Sequence, residues 1–259
     1  NTPRVARIDL KTFRTAEIIE LPNSAGNHSS PFITENTEYV VAGTRFSVPP
    51  DNTIGDIPIN TYKKNFKGTL SFISVKKDDG DMKIAFQIQC PGFNFDLSRA
   101  GKGVSHGWFF FSCYNTEQAN TLLEVNASQK DKDFVMAVNW KKAEEYIKAG
   151  KGKKVPAKYV HNTWDEKTHT AKSEMKSEVL VLSAKELKDI CYMIPCPKSP
   201  HGCDVDPTGE YIVGSGKLAA LIPVFSFDKL QNAIKNKQFD GEYDGIPVIK
   251  YRSEEHTSE

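Results

Sequence analysis

The chain contains two segments, far apart in the sequence, that share the order of their residues and carry one histidine each at the same point. The first segment is Val5–Gly43 and the second is Val179–Gly214. An offset of 173 residues aligns His28 of the first segment with His201 of the second. A repeated strand–turn–strand unit is typical of propellers and of other repeat folds. Such a duplication constrains the fold more than any other feature of the sequence.

Short runs of β-branched and aromatic residues recur along the chain, separated by clusters of Pro, Gly, Asn and Asp. This alternation predicts an all-β sandwich, barrel or propeller, and the repeated unit favours the β-propeller. Three segments predict short connector helices between the strands: Trp140–Ala149, Ser183–Cys191 and Phe227–Asn236. The predicted strands include Val5–Leu10, Tyr39–Ala42, Thr69–Val75, Met82–Gln89, Trp108–Ser112, Phe134–Val138, Val179–Leu182, Tyr211–Val213 and Ala220–Phe227.

The charge of the chain is nearly balanced, with 34 basic and 33 acidic residues among 259. This balance gives no reason to expect a nucleic-acid partner. No stretch is long and apolar enough to predict a membrane span. The polar segment Asn162–Ser177 is interpreted as an exposed excursion, with His161 and His169 in solvent and His106 in a loop or at the edge of the core.

The last eight residues, Arg252–Glu259, differ in composition from the rest of the chain. They read RSEEHTSE, which equals the translation of a common sequencing-adapter oligonucleotide. We therefore interpret residues 1–251 as one partial propeller domain and residues 252–259 as adapter read-through that is not native.

The two aligned histidines predict a metal site. Each histidine alone is typical of a loop side chain, but equivalent loops of a propeller converge on its central channel, so aligned side chains surround one axis. Imidazole ligands without thiolates favour copper over zinc. Asn27, Ser199 and Asp204 are candidates to orient the rings.

Three cysteines near His201 leave open a weaker zinc alternative. They are Cys191, Cys196 and Cys203. Their spacing does not match a zinc knuckle, so we consider this alternative less favourable.

Three motifs resemble the propeller domain of nitrous oxide reductases, and they most resemble the branch that is exported through the general secretory route. They read GNHSSPFITENTEYVVAGTRF, GWFFFSCYNTEQA and CPKSPHGCDVDPTGEYIVGSGKL. The resemblance runs from about Asn1 to Tyr251. It implies a seven-bladed propeller that holds a tetranuclear copper–sulfide cluster on histidines. It also implies a cupredoxin-like domain with a dinuclear copper, contributed by the other subunit of a head-to-tail homodimer.

The resemblance places His28 and His201 as ligands of the copper cluster, and therefore as the catalytic and cofactor-binding residues of this chain. It also implies calcium ligands, which are Tyr114, Glu117 and Asp133, with Asp131 as an alternative to Asp133. The family often has Asn where this chain has Ser199, and Glu117 and Asp133 are interpreted alternatively as surface charges.

The resemblance implies a periplasmic enzyme that reduces nitrous oxide to dinitrogen and water with two electrons and two protons, in denitrification. It implies a small electron-donor protein, such as a cytochrome or a cupredoxin, as a partner. Further copper ligands are expected upstream of residue 1 and downstream of residue 251, so the fragment alone is expected to be inactive. The alternative is a non-enzymatic propeller scaffold that binds a protein or a ligand.

Overall fold

The structure is a computed structural model, and it describes residues 3–27, 32–46, 67–75, 81–114 and 133–250. Within these ranges the chain forms strands, two short helices, α1 (Trp140–Lys148) and α2 (Phe227–Lys235), and a 3-10 turn at Gly103–Ser105. The strands are β1 (Arg4–Asp9), β2 (Arg14–Glu20), β3 (Ala25–Asn27), β4 (Phe32–Ile33), β5 (Tyr39–Phe46), β6 (Lys67–Ser74), β7 (Lys83–Pro91), β8 (Asn94–Ala100), β9 (Trp108–Tyr114), β10 (Asp133–Asn139), β11 (Lys153–Asp165), β12 (Thr170–Ser183), β13 (Cys191–Cys196), β14 (Cys203–Val205), β15 (Tyr211–Gly214), β16 (Val224–Ser226), β17 (Phe239–Tyr243) and β18 (Ile246–Ile249).

The described strands form three sheets. The first has the order β1-β2-β11-β12-β7-β6-β5-β3, with β4 paired to β5, the second has the order β17-β18-β13-β10-β9-β8, and the third has the order β14-β15-β16. Neighbouring strands are antiparallel except in the pairs β12–β7 and β13–β18, which are parallel. The all-β class is therefore confirmed. These sheets do not divide into the four-stranded blades that define a propeller, so the propeller remains a proposal.

The core contains both faces of β9 and β10, two neighbouring strands of the second sheet. On β9, Phe109 and Phe111 belong to one buried cluster with residues of the first sheet, whereas Phe110 belongs to another cluster with the third sheet and α2. Side chains alternate between the two faces of a strand, so continuous apolar runs such as WFFF indicate that both faces are covered. Burial of each phenylalanine side chain stabilises the fold by about 1.5–3 kcal/mol.

Two of the three predicted connector helices are confirmed. The Asn139 side chain accepts a hydrogen bond from Lys142 N at the start of α1, and Ser226 caps α2 in the same way. In the third segment, Leu187 N donates to Ser183 O at 2.9 Å, but no helix follows. Asp189 has a φ of 69°, a left-handed conformation that ends the turn.

The segment predicted as an exposed excursion is a long hairpin formed by β11 and β12. His169 lies exposed at its turn, as predicted. The prediction that His161 is solvated is wrong, because its side chain is 5% exposed and its Nε2 lies 2.9 Å from Glu17 Oε2. Pairing of β11 with β2 aligns His161 with Ile19 and brings it to this carboxylate.

Candidate metal site

The turn of the first repeat, between β4 and β5, is closed by three hydrogen bonds. Thr34 N donates to Tyr39 O at 2.9 Å, and Tyr39 N donates to Thr34 Oγ1 at 2.9 Å. Thr37 N donates to Thr34 O at 2.9 Å, and Thr37 has a φ of 62°. The hydroxyl of Thr34 thus closes the turn from within, as Ser, Thr, Asn and Asp side chains often do.

The turn of the second repeat, between β14 and β15, has the same three bonds at an offset of 172 residues. Asp206 N donates to Tyr211 O at 3.0 Å, and Tyr211 N donates to Asp206 Oδ1 at 2.8 Å. Gly209 N donates to Asp206 O at 3.0 Å, and Gly209 has a φ of 80°. The two aligned segments therefore share the hydrogen bonds and the left-handed residue of this turn.

The structure describes one of the two aligned histidines. His201 immediately precedes Gly202 and β14, the first strand of the second hairpin. His28 lies outside the described residues, so the predicted convergence of the two rings on a common axis remains a prediction.

The aligned tyrosines do not share an environment. Tyr39 packs edge-on against Phe72, Phe86 and Trp140, and its hydroxyl donates to Glu144 Oε1 at 2.6 Å. Tyr39 therefore packs against the core. Tyr211, by contrast, is 51% exposed.

The imidazole of His201 is 49% exposed, and it lies beside a buried carboxylate. Its Nε2 is 4.0 Å from Oδ2 of Asp96, which is 1% exposed. Arg45 Nη1 approaches the same oxygen atom, also at 4.0 Å. Asp96 thus lies between a basic side chain of β5, the strand with which the first repeat ends, and the histidine of the second repeat.

An open cleft lies on the exposed side of His201. Its lining is formed by the imidazole and by the loop that follows β15, which is residues 215–222 without Leu218. Lys217 supplies the charged group of this lining, and Leu221 and Ile222 are 57% and 72% exposed. A half-exposed imidazole at the wall of a cleft is available to a metal ion.

The candidates for orienting His201 remain predictions. The Asp204 carboxylate pairs with Arg99, with its Oδ1 2.9 Å from Arg99 Nε. Asn27 lies on β3, opposite Thr44 of β5. The carboxylate beside the ring is Asp96, which the sequence analysis missed. The signal that could have revealed it is an aspartate within the apolar run FNFDL.

Asp133, a predicted calcium ligand, connects β10 to the loop that leads to His201. It is 4% exposed, and its Oδ2 accepts a hydrogen bond from Ser199 N at 2.7 Å. The alternative interpretation of Asp133 as a surface charge is therefore wrong. Glu117, Asp131 and the side chain of Tyr114 lie outside the described residues, so the calcium site remains a prediction.

Two of the three cysteines near His201 have thiols with a raised pKa. Burial is the main cause that raises the pKa of Cys196 and of Cys203 to about 12. A thiol must lose its proton to bind zinc, so zinc would have to displace a tightly held proton from Cys196 and Cys203. Among the described residues, no group of three or more His, Cys, Asp and Glu side chains is arranged to hold a metal ion.

His106 lies at the edge of the core between two carboxylates, which agrees with the prediction of a loop or core-edge residue. Its Nδ1 is 3.1 Å from Glu35 Oε2, and its Nε2 is 3.2 Å from Glu38 Oε1. These contacts attach the turn of the first repeat to the loop before β9. Val104 N of the same loop donates to Thr208 O in the turn of the second repeat.

The fold and the site define the class of the protein as an all-β protein with a duplicated hairpin turn, and His201 lies at the start of the second hairpin. Comparison with curated proteins is consistent with this description. The chain is 28% identical over 245 residues to the nitrous-oxide reductase of Pseudomonas fluorescens. It is 27% identical over 242 residues to the nitrous-oxide reductase of Stutzerimonas stutzeri. The resemblance to nitrous-oxide reductases is therefore confirmed over 92% of the chain.

The chain spans about a third of the length of these curated relatives (33%). No protein-family model matches it. A solved structure, that of a proposed 6-phosphogluconolactonase from Bacteroides uniformis, is 10% identical and covers 87% of this chain and 64% of its own, with a TM-score of 0.26. This score is too low to support a statement about the fold. In the part of the chain that the structure describes, no helix is long and apolar enough to cross a membrane.

Proposed function

We propose that the chain is a part of the propeller domain of a copper-dependent nitrous oxide reductase. The reaction converts nitrous oxide, two protons and two electrons to dinitrogen and water. The observation that carries the proposal is that His201 stands at the start of a hairpin whose turn geometry is duplicated in the first repeat. Similarity to two nitrous-oxide reductases along 92% of the chain supports the same conclusion.

The residues near His201 fit a copper ligand. The imidazole is half-exposed, faces a cleft and lies beside a buried carboxylate, and neutral imidazole nitrogen is a ligand that copper binds well. His28 would hold the same cluster from the first repeat, and further ligands would come from other parts of the full-length protein. When bound, a cluster of several coppers supplies both electrons to the substrate at one place.

The residues of this chain would orient the His201 ring and enclose the metal site. Asp96 Oδ2 lies 4.0 Å from Nε2 of His201, so a small movement of the ring on metal binding would let the carboxylate accept the proton of this nitrogen and leave the other ring nitrogen for the metal. The buried position of Asp96 keeps this carboxylate away from bulk water. Lys217 and the apolar residues Leu221 and Ile222 form the wall of the cleft through which a small substrate such as nitrous oxide would reach His201.

Further features of the full-length protein are included in the proposal. They are calcium bound by Tyr114, Glu117 and Asp133, a location in the periplasm, a head-to-tail homodimer, and a cytochrome or cupredoxin as electron donor. The domain boundaries are proposed as residues 1–251 for the partial propeller and residues 252–259 for adapter read-through. Residues 252–259 lie outside the described residues. Resequencing of the source DNA from an independent library tests this boundary, since recovery of RSEEHTSE in frame would contradict it.

The function is tested in the full-length protein, purified without oxygen. We expect it to contain copper and acid-labile sulfide and to reduce nitrous oxide with an artificial electron donor. His201→Asn should deplete copper and abolish the activity while the far-ultraviolet circular dichroism stays unchanged, because an open ligand position weakens a cluster that no other side chain replaces.

His169→Asn is the matched control, because His169 is an exposed histidine at a hairpin turn far along β11–β12 from the site. It should leave copper content and activity unchanged. A wild-type copper content in His201→Asn would reject His201 as a ligand. A full-length protein without copper would favour the alternative, a non-enzymatic propeller scaffold.

A further inference from the structure

We propose that Arg99 on β8 is a positioning residue for His201 and that it acts through its ion pair with Asp204 on β14. The inference rests on the proposed function, because the position of the His201 ring matters chemically only if the ring binds a metal. The described contacts show how β8 holds the hairpin that carries His201.

The first contact comes from an irregularity in β8. The register of β8 on β9 shifts between Phe95 and Ser98, which places Asp96 and Leu97 in the irregular stretch. Leu97 N donates to His201 O at 3.4 Å, and the Asp96 carboxylate lies 4.0 Å from the His201 ring. Bulges release backbone groups from the strand ladder, and here the released groups face the histidine.

The second contact is a close approach of the two backbones. A Cβ atom placed on Gly202 would lie 3.2 Å from Leu97 Cβ, which is tighter than ordinary van der Waals contact. Glycine is therefore suited to this position, because it lets the start of β14 lie directly against β8. The hairpin is closed on its other side, where Gly202 N donates to Ser215 Oγ at 2.8 Å.

The third contact is the ion pair between Arg99 and Asp204. Nε of Arg99 lies 2.9 Å from Asp204 Oδ1, and Nη2 donates to Oδ2 at 3.1 Å. Strand alternation buries Cys203 and Val205 and turns Asp204 outward, along the side of β14 that faces Arg99. The pair therefore joins the second sheet to the third sheet three residues from His201.

The pair is suited to fixing position rather than to stabilising the fold. The Arg99 and Asp204 side chains are 34% and 62% exposed, and ion pairs with such exposure contribute little to the free energy of folding. The hydrogen bond from Nη2 of Arg99 to Oδ2 of Asp204 nevertheless fixes the carboxylate against the guanidinium group. Because the ring of His201 is itself half-exposed and 4.0 Å from Asp96, its location follows the backbone of β14.

The test uses this chain, labelled for nuclear magnetic resonance. Arg99→Ala should move the ring signals of His201 and accelerate hydrogen exchange of the Gly202 amide about five-fold, which corresponds to loss of one exposed ion pair. The reversed pair Arg99→Asp with Asp204→Arg should restore both signals toward wild type. Arg4→Ala is the matched control, because Arg4 also contacts a carboxylate, that of Glu20, at 3.0 Å on the distant β1–β2 hairpin.

Asp204→Asn is a second variant that keeps the side-chain volume and should shift the His201 signals as Arg99→Ala does. Unchanged His201 ring signals in both Arg99→Ala and Asp204→Asn, or an equal shift in Arg4→Ala, would overturn the positioning role.

Titration with Cu(II) separates this result from the proposed function. Cu(II) should broaden the His201 ring signals at lower concentration in the wild type than in Arg99→Ala. If Cu(II) did not broaden the signals of the wild type, only the proposed copper site would be contradicted. The role of Arg99 would still be decided by the signal shifts in the variants.

Discussion

The carboxylate of Asp133 accepts a hydrogen bond from the backbone N–H of Ser199 at 2.7 Å, and both residues are buried. Ser199 has a φ of 56°, a left-handed conformation that is unfavourable for a residue with a side chain. The hydrogen bond offsets this cost and fixes the turn two residues before His201. A charged acceptor on β10 therefore determines the path of the loop that carries the candidate copper ligand.

Replacement of Asp133 should show the strength of this bond. We expect Asp133→Ala to lower the free energy of unfolding by about 1–3 kcal/mol, because the Ser199 N–H is left buried without this acceptor. Asp133→Asn keeps an oxygen at the same place and should cost less. Urea unfolding of both variants and the wild type measures the difference. Equal stability of Asp133→Ala and the wild type would show that water replaces the carboxylate.

Calcium binding provides a separate prediction for the same residue. If Asp133 and Glu117 bind calcium in the folded state alone, added calcium should raise the midpoint of thermal unfolding in the wild type. The double variant Glu117→Gln with Asp133→Asn should lose this response, and Glu174→Gln, an exposed carboxylate on β12, should keep it. An unchanged calcium response in the double variant would assign both residues an ordinary structural role.

The buried pair of Glu17 and His161 should be important for stability. Glu17 is 2% exposed, its Oε2 accepts from Met82 N at 2.6 Å and lies 2.9 Å from His161 Nε2, and it forms an ion pair with Arg7. We expect Glu17→Ala to destabilise the fold by about 3–5 kcal/mol, because it removes the buried acceptor of Met82 N and the buried carboxylate beside His161 Nε2.

The matched control for this pair is Glu174→Ala. Glu174 lies opposite His161 in the β11–β12 hairpin, but its side chain is exposed. Its removal should change the free energy of unfolding by less than about 0.5 kcal/mol. Denaturant unfolding of both variants in the same buffer measures their free energies of unfolding. Similar decreases in the two variants would contradict a specific role of the buried pair.

The sequence predicts strands better than it predicts what the strands pack against. All nine predicted strand runs overlap observed strands, because β-branched and aromatic clusters between turn residues are a local signal. His161 and Asp96 were missed as buried polar residues, because burial depends on partners that are more than a hundred residues away in the sequence, such as Glu17 for His161. The turn equivalence of the two repeats was predictable, because Thr34 and Asp206 both supply a side-chain oxygen that closes the turn locally.

The acid dependence of stability should include a contribution from Asp244, at the turn between β17 and β18. Burial alone would raise its pKa, but hydrogen bonds from Lys67 and Lys185 outweigh burial and hold the pKa below the ordinary value of 3.8. Lys67 Nζ lies 2.9 Å from Oδ2 and Lys185 Nζ lies 3.0 Å from Oδ1. A carboxylate with a lowered pKa stabilises the folded state above its ordinary pKa, and this stabilisation is lost as the pH falls through the lower value.

Asp244→Asn should therefore be less stable than the wild type at neutral pH, and the difference should shrink as the pH falls below 3.8. Asparagine suits the left-handed φ of 46° at this position, so the substitution changes charge without adding backbone strain. Asp240→Asn, an exposed position on β17, is the control and should leave the acid dependence unchanged. Urea midpoints measured from neutral pH down to about pH 3 provide the comparison. If the difference between Asp244→Asn and the wild type stayed constant over this range, the two lysines would contribute nothing through the charge of Asp244.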